Sequence, residues 1–301
     1  MAFEHVAILG LGLIGSSLAR AIRQRLPGVA LAGHDRDASV RARVADLRLV
    51  DQLHARAAEA VEGADLVILA VPLGAFGGLA AEIAGALKPG AVVSDVGSAK
   101  QVAIDAVGPH LPPHVALIPA HPVAGTEKSG PDAGFASLFD GRWAILTPPA
   151  GADPQAVARL SAFWTALGSR VEIMEARHHD LVLAITSHLP HLIAYSIVGT
   201  ASDLEGVTRA EVIKYSAGGF RDFTRIAASD PTMWRDVFLM NRDAVLEMLA
   251  RFSEDLSALQ RAIRWGDGEA LFRRFEASRA VRKAIIDAGQ DTADADFGRP
   301  H

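Results

Sequence analysis

The chain has 301 residues, half of them hydrophobic, and a formal net charge of −5. This length predicts two domains, and the mildly acidic balance argues against nucleic acid or an anionic membrane as the main partner. The chain contains no cysteine, which rules out disulfides and thiolate metal sites, and no spacing of other side chains suggests a metal ion. The first residues lack the basic and then apolar pattern of a signal peptide, so we expect a cytoplasmic protein.

A glycine-rich turn follows the first apolar run. The run His5–Leu9 leads into a Gly-x-Gly-x-x-Gly motif formed by Gly10, Gly12 and Gly15. The first glycine permits a tight turn, the second lets a pyrophosphate approach the backbone, and the third lets the following helix pack against the strand. The motif therefore predicts a dinucleotide site, whose further candidate contacts are Leu13, Ile14, Val71 and Pro72.

An acidic residue completes this pattern. A second apolar run ends at Asp35, twenty residues after Gly15. A carboxylate there accepts hydrogen bonds from both ribose hydroxyls and repels a 2′-phosphate, which favours NAD over NADP. Arg36 follows directly and keeps NADP as an alternative. An unoccupied structural turn is the weaker interpretation, because strand, turn, helix and acid occur together.

Apolar runs alternate with helix-spaced apolar positions through the first half of the chain, which predicts a mostly parallel sheet covered on both faces. The candidate strands are Val6–Leu9, Ala30–His34, Leu66–Val71, Ala91–Val96, Val115–Pro119, Trp143–Leu146 and Arg170–Met174. The predicted fold is α/β, with a Rossmann-like dinucleotide-binding domain over residues 1–174. An all-helical substrate and dimerisation domain follows over 175–290, and we expect a disordered tail over 291–301.

The second half shows helical patterns only. Ser229-Asp230-Pro231 is a typical helix start, and one apolar stripe runs from Met233 to Ile263, before a second helix from about Gly268 to Ala288. Such a long stripe predicts a homodimer through the helical half, with a compact monomer that has a larger core as the alternative.

One helical segment is unusually apolar. Leu181–Ser202 has no charged side chain and is long enough to span a bilayer. His188, Pro190 and His191 lie at its centre, where lipid would leave them without partners. We therefore interpret it as a helix buried at a domain or subunit interface, and we expect no membrane partner.

Polar residues just after strands are the first candidates for chemistry. His121 is the candidate base, because a neutral imidazole is available near neutral pH. Ser98 is placed to orient that ring or to share the hydroxyl hydrogen bond. By position alone, a glycine-capped structural loop around His121 is equally well supported. We assign no site role to His178 and His179, which begin the long helix.

The helical half contributes a second cluster. His188 and His191 flank a proline, which favours a site over the alternative of satisfied core histidines. Arg225 lies close to aromatic residues and suits a bidentate grip on a carboxylate. A structural salt bridge from Arg225 to Asp222 or Asp230 is the alternative.

Taken together, five segments closely resemble the prephenate/arogenate dehydrogenase family of tyrosine biosynthesis, and the resemblance extends from Val6 to about Trp265. The segments are Gly10–Gly15, Asp95–Lys100, His121–Gly130, Ser187–His191 and Gly218–Arg225. The resemblance implies NAD-dependent oxidative decarboxylation. It also implies that His121 hydrogen-bonds the ring hydroxyl of a cyclohexadienyl substrate, that Ser98 assists it, and that the helical domains form a dimer.

The resemblance implies a substrate site as well. Arg225 anchors a carboxylate, His191 is the second histidine of the site, and Trp234 approaches it, with the partner subunit as one possible source. The other implied substrate residues are Ser187, Thr126, Glu127, Lys128 and Arg221.

Two other functions compete with this one. A 3-hydroxyacid dehydrogenase shares the architecture but uses a catalytic lysine on a helix, and no comparable segment stands out. A non-catalytic NAD-binding sensor would bind the cofactor without turnover. Prephenate and arogenate both suit the same base and the same ring contacts, and tyrosine inhibition stays open.

Overall fold

The computed structural model describes residues 3–126, 128–203, 211, 214–215 and 218–287. The strands are β1 His5–Leu9, β2 Ala30–His34, β3 Gln52–His54, β4 Leu66–Leu69, β5 Val92–Asp95, β6 Ala116–Leu117, β7 Ala120–Pro122, β8 Trp143–Leu146 and β9 Arg170–Ile173. The helices up to the site region are α1 Leu13–Arg25, α2 Ala38–Asp46, α3 Ala57–Val61, α4 Phe76–Ile83, α5 Gln101–Val107, α6 Pro154–Ala166, α7 Ala176–Leu183 and α8 Leu189–Ser202. The remaining described helices are α9 Gly218–Thr224, α10 Pro231–Met240, α11 Arg242–Trp265 and α12 Gly268–Asp287.

The main sheet is parallel, with strand order β3-β2-β1-β4-β5-β6. In β1, Val6 pairs with Leu31 on one side and with Leu66 on the other. All four residues of β4 are buried, as expected for a parallel strand that helices cover on both faces. The order of strands reverses between β1 and β4, which is where open α/β sheets bind their ligands. The Rossmann-like fold predicted from the sequence is therefore confirmed.

Several helix starts carry side-chain caps. Asp37, Asp153 and Asp230 accept hydrogen bonds from backbone N–H groups at the starts of α2, α6 and α10. The cap of α10 confirms the predicted helix start, with Pro231 in the first turn. A proline suits that position because its missing N–H would have no partner within the helix.

The structure differs from the sequence predictions in three details. The expected strand Val115–Pro119 is shorter, and the chain leaves the main sheet after β6 to form β7 in a second sheet of order β7-β8-β9. β7 is antiparallel to β8. The short edge strand β3 was missed, because three residues are too few for a periodic signal. The apolar stripe predicted from Met233 belongs to two helices, which meet at Asn241.

The chain divides into two compact units, Met1–Leu246 and Glu247–His301. In the first unit, Trp234 and Val237 of α10 belong to the same buried apolar cluster as Phe76, so helices after residue 174 pack on the sheet domain. The predicted boundary between residues 174 and 175 is not tested by this division and stays a prediction. The predicted disordered tail lies outside the described residues.

Candidate active site

The glycine turn after β1 has the geometry that a pyrophosphate needs. Gly10 has a φ of +97°, which favours glycine, and a Cβ on Gly15 would lie 1.9 Å from the Gly10 carbonyl oxygen. A Cβ on Gly12 would meet nothing within 4 Å, so the space beside this residue is open. Gly12 also stands at the start of α1, where no side chain caps the helix. The first N–H groups of α1 are thus suited to hold phosphate oxygens.

Asp35 lies at the end of β2, next to this turn. Its Oδ2 accepts a hydrogen bond from the N–H of Leu11 at 2.9 Å, and its Oδ1 accepts one from the N–H of Asp37 at 2.9 Å. A carboxylate has about four acceptor positions, so this one can still accept hydrogen bonds from ribose hydroxyls. Arg36 is exposed beside it. The residues therefore fit a dinucleotide with an unmodified ribose.

The other candidate cofactor residues border the same turn. Val71 lies against Gly10, since its Cγ1 would be 2.9 Å from a Cβ built there. Leu13 and Ile14 are half-buried in the first turn of α1, and Pro72 is exposed just after Val71.

His121 lies at the centre of β7 and is 8% exposed. Its Nδ1 is 2.9 Å from Nε2 of His179, and Nδ1 of His179 is 2.8 Å from Oδ1 of Asp180. Between described residues, no hydrogen bond engages Nε2 of His121. Burial lowers the pKa of His121 well below its usual value, and the positive charge of Lys100 lowers it further, as would a proton on His179 or His188. His121 is therefore a neutral imidazole at cellular pH.

A buried ion pair holds the strand that carries His121. Lys100 donates a hydrogen bond to the carboxylate of Asp95 and another, of 2.8 Å, to the carbonyl oxygen of Ala120. The N–H of Ala120 in turn donates to Oδ1 of Asp95 at 3.2 Å. The pair thus satisfies both backbone polar groups of Ala120, where the chain leaves one sheet for the other.

A π-helical turn, Ala184–His188, joins α7 to α8; such turns are frequent at functional sites. The ring of His188 is fully buried, and its Nδ1 is 3.1 Å from Nδ2 of Asn241, which also donates to the carbonyl oxygen of Asp180 at 2.9 Å. Burial lowers the pKa of His188 to about 4, while the backbone of Ser98 favours its protonated form. His188 therefore lies close to the backbone of Ser98 and close enough to His121 to act on it.

The second histidine of this segment is stacked on a tryptophan. The rings of His191 and Trp234 have centroids 3.6 Å apart and planes 23° apart. Nδ1 of His191 is 2.9 Å from the carbonyl oxygen of Ser187, so Nδ1 is the protonated nitrogen of the neutral ring. Burial lowers the pKa of His191, and the positive charge of Arg225 lowers it further. Arg225 is thus close enough to act on His191.

The structure brings together most, but not all, of the candidate substrate residues. His188 joins the two groups, since it acts on His121 electrostatically and its ring lies 6.0 Å from that of Trp234. The residues brought together in this way are His121, Ser98, His188, His191, Ser187, Trp234 and Arg225. Thr126 and Lys128 are exposed in the loop after β7, where the N–H of Lys128 donates to Oγ1 of Thr126 at 3.2 Å. Arg221 is exposed on α9. Glu127 lies outside the described residues.

Sequence reasoning missed the residues behind His121. The sequence places His179 near the start of a helix, as the structure has it in α7, but does not predict its contact with His121. A signal was present: Ala176, His179, Asp180 and Leu183 share the buried face of α7, at the spacing of an apolar stripe. A histidine and an aspartate in such positions need buried partners. The sequence around Lys100 and Asn241 shows no comparable pattern that would predict their buried contacts.

By length and composition, Ala176–Ser202 is the one described helical segment that could cross a membrane. It carries His179, Asp180, His188 and His191, which take part in the contacts above. The described residues contain no group of three or more side chains placed to hold a metal ion.

Comparisons with known proteins agree in both halves of the chain. The family model "Prephenate dehydrogenase, nucleotide-binding domain" matches residues 18–173, and "Prephenate dehydrogenase, dimerization domain" matches residues 175–277. The chain is 46% identical to the cyclohexadienyl dehydrogenase of Zymomonas mobilis, over 94% of this chain and 96% of the relative.

Two solved structures are also similar. The first, of a prephenate dehydrogenase from A. aeolicus in complex with hydroxyphenyl propionate and NAD⁺, has a TM-score of 0.86 at 30% identity and covers 95% of this chain and 99% of that one. The second, of a Synechocystis arogenate dehydrogenase, has a TM-score of 0.79 at 26% identity and covers 93% of this chain and 99% of that one.

Proposed function

The chain belongs to the prephenate dehydrogenase family, and on that premise we propose that His121 is its catalytic base, in a site that also contains Ser98, His191 and Arg225. The protein is an NAD-dependent oxidoreductase of tyrosine biosynthesis that oxidises and decarboxylates prephenate, arogenate or both. The observation that supports the role of His121 is its burial as a neutral ring with Nδ1 engaged and Nε2 unengaged by described residues.

The proposed chemistry moves one proton to the protein and then returns it to the product. Nε2 of His121 accepts the proton of the ring hydroxyl, and Ser98 helps to orient that hydroxyl. NAD, when bound, accepts the hydride from the same ring carbon. The carbon–oxygen bond becomes a carbonyl, and the ring carboxylate then leaves as CO₂. Its bonding electron pair enters the ring, the carbonyl oxygen takes back the proton held on Nε2 of His121, and the product is a phenol. Formation of the aromatic ring makes the reaction essentially irreversible.

The remaining residues bind and orient the substrate. Arg225 pairs with a carboxylate of the substrate, and the exposed Arg221 and Lys128 add positive charge at the mouth of the site. His191 has its Nδ1 engaged by the Ser187 carbonyl, so Nε2 of its neutral ring accepts a hydrogen bond. Ser187, Thr126, Glu127 and Trp234 complete the proposed substrate site. Gly10, Gly12, Leu13, Ile14, Gly15, Asp35, Val71 and Pro72 hold the cofactor.

We also propose a cytoplasmic homodimer that forms through the helical half. The family model matched by residues 175–277 is a dimerization domain. In the unit that begins at Glu247, several large apolar side chains are exposed: Leu256, Ile263, Trp265, Phe272 and Phe275. Exposed apolar surface of this kind supports pairing with a second copy. Light scattering on the purified protein tests this, because a monomer mass would contradict it.

One assay tests the proposed activity. NADH formation is followed with prephenate and then with arogenate, in the wild type and in His121→Asn. We expect turnover of at least one substrate, and a loss of kcat of at least about 100-fold in the variant, the usual scale for a general base. The affinity for NAD should stay within about twofold. Near-normal turnover of His121→Asn would contradict the assigned base, and NAD binding without turnover in the wild type would favour the sensor.

A further inference from the structure

Three buried side chains form a continuous line of hydrogen bonds behind the active site. Nδ1 of His121 lies 2.9 Å from Nε2 of His179, and Nδ1 of His179 lies 2.8 Å from Oδ1 of Asp180. All three residues are less than a tenth exposed. The line starts on β7 and ends on α7, so it joins the sheet domain to the first helix of the helical half.

Asp180, at the far end of this line, acts only as an acceptor. Its Oδ1 accepts the N–H of Lys100 at 2.7 Å, and its Oδ2 accepts the N–H of Gln101 at 2.9 Å. Both oxygens therefore face donors, which is the arrangement of a carboxylate. A carboxylate has no proton to give, so the hydrogen bond between Asp180 and His179 must use a proton on Nδ1 of His179.

This assignment determines the protonation of the next ring. Burial lowers the pKa of His179, although Asp180 opposes this effect, so His179 is a neutral ring at cellular pH. A neutral imidazole has one donor and one acceptor nitrogen. Because Nδ1 of His179 is the donor, its Nε2 is an acceptor, and the proton between the two rings belongs to Nδ1 of His121.

We propose that His179 and Asp180 are positioning residues that hold His121 in the tautomer with a protonated Nδ1 and a free electron pair on Nε2. This inference rests on the proposed function, since it matters only if His121 takes a proton from the substrate. In the other tautomer, Nε2 would carry a hydrogen and could donate to the hydroxyl oxygen but could not remove its proton.

The same line stabilises the charge that forms during turnover. The titratable and charged groups acting on His121 are His179, Lys100 and His188, and Lys100 is paired with Asp95. When Nε2 accepts a proton, the ring becomes a cation between groups that are neutral or positive. Asp180 is the negative group hydrogen-bonded to His179, and it stabilises this cation through the intervening ring.

Replacement of His179 tests the proposal. In His179→Phe, the Nδ1–H of His121 loses its acceptor, and we expect kcat to fall at least about tenfold while KM for prephenate and NAD stays within about twofold. His179→Gln should recover most of the loss, because its amide oxygen can accept the same hydrogen bond. The matched control is His178→Phe, one residue earlier and exposed on α7, which should behave as wild type.

A second measurement reads the tautomer directly, without substrate or cofactor. Nitrogen-15 spectra of histidine-labelled protein distinguish Nδ1–H from Nε2–H rings, and the signals of His121 are identified by their loss in His121→Asn. We expect the Nδ1–H form in the wild type and a shift towards the Nε2–H form in His179→Phe. The wild-type spectrum alone decides the assignment, so a variant that fails to fold leaves the test intact.

The outcomes separate this inference from the proposed function. An Nε2–H ring in the wild type, or wild-type kcat in His179→Phe, would overturn the positioning role, even if His121→Asn is inactive. An active His121→Asn would instead overturn the proposed base, and the positioning role with it.

Discussion

The indole of Trp234 lies flat on the imidazole of His191, with ring centroids 3.6 Å apart. Trp234 is 6% exposed and also belongs to the apolar cluster on one face of the sheet. Both rings come from the same chain, so this tryptophan reaches the proposed substrate site without help from a partner subunit. The stack fixes the plane of His191 and shields it from water, which explains why burial lowers the pKa of His191.

The stack predicts a binding defect when the indole is removed. In Trp234→Leu, His191 keeps its bond to the Ser187 carbonyl but loses the ring that orients it. We expect KM for prephenate to rise about tenfold, with KM for NAD unchanged. Trp143→Leu, a half-buried tryptophan on β8, is the control. A change confined to kcat would show that the stack does not serve substrate binding.

Arg225→Ala should also raise KM for prephenate. Its guanidinium is close enough to His191 to lower the pKa of that ring, which places positive charge beside the proposed substrate. Because the grip on a carboxylate is present in both ground and transition states, KM for prephenate should rise at least about tenfold, with kcat within about threefold. Arg242→Ala, an exposed arginine paired with Asp243, serves as the comparison. An unchanged KM would identify Arg225 as structural.

Asp35→Ala should weaken the discrimination between the two cofactors. The carboxylate lies beside the glycine turn, bonded to the N–H of Leu11, where it can bind ribose hydroxyls and repel a 2′-phosphate. We expect the ratio of kcat/KM for NAD to that for NADP to fall at least about tenfold. Asp37→Ala removes a neighbouring carboxylate that only caps α2, and should leave the ratio unchanged. A constant ratio in Asp35→Ala would mean that this acid does not touch the ribose.

The buried histidines predict a loss of stability in acid. The pKa of His188 is about 4 in the folded protein and near 6.5 in the unfolded chain. Between these values the unfolded chain binds more protons, so stability falls as the pH drops below about 6.5. The loss from His188 alone approaches about 3 kcal/mol near pH 4. His188→Gln removes this titration, and urea unfolding between pH 7.5 and 4.5 should then show a shallower decline. An identical decline of stability in the wild type and in His188→Gln would show that His188 does not cause the loss of stability in acid.

Truncation of the Lys100 side chain should strongly destabilise the folded protein, because it breaks the buried ion pair with Asp95. Lys100 is fully buried, and Lys100→Met leaves Asp95 as a buried charge without its cation. We expect the free energy of unfolding to fall by about 3–5 kcal/mol. Lys88→Met breaks a partly exposed pair with Asp65 and should cost less than about 1 kcal/mol. Equal losses in urea unfolding would contradict the distinction between the two pairs.

Local sequence determined the cofactor half of this protein. The turn at Gly10–Gly15, the acid at Asp35 and most strands of the main sheet could be predicted, because strand periodicity and glycine geometry depend on residues close together in the chain. The resemblance of the segment His121–Gly130 to the family likewise predicted His121 as a site residue.

Tertiary structure alone decided what surrounds His121. His179 lies 58 positions further along the chain, and Lys100 and Asn241 approach from other elements. Their partners depend on how β7 leaves the main sheet and how α7 packs beside it. No local pattern encodes those contacts, since the burial and hydrogen bonding that set the protonation of a histidine arise only when distant segments meet.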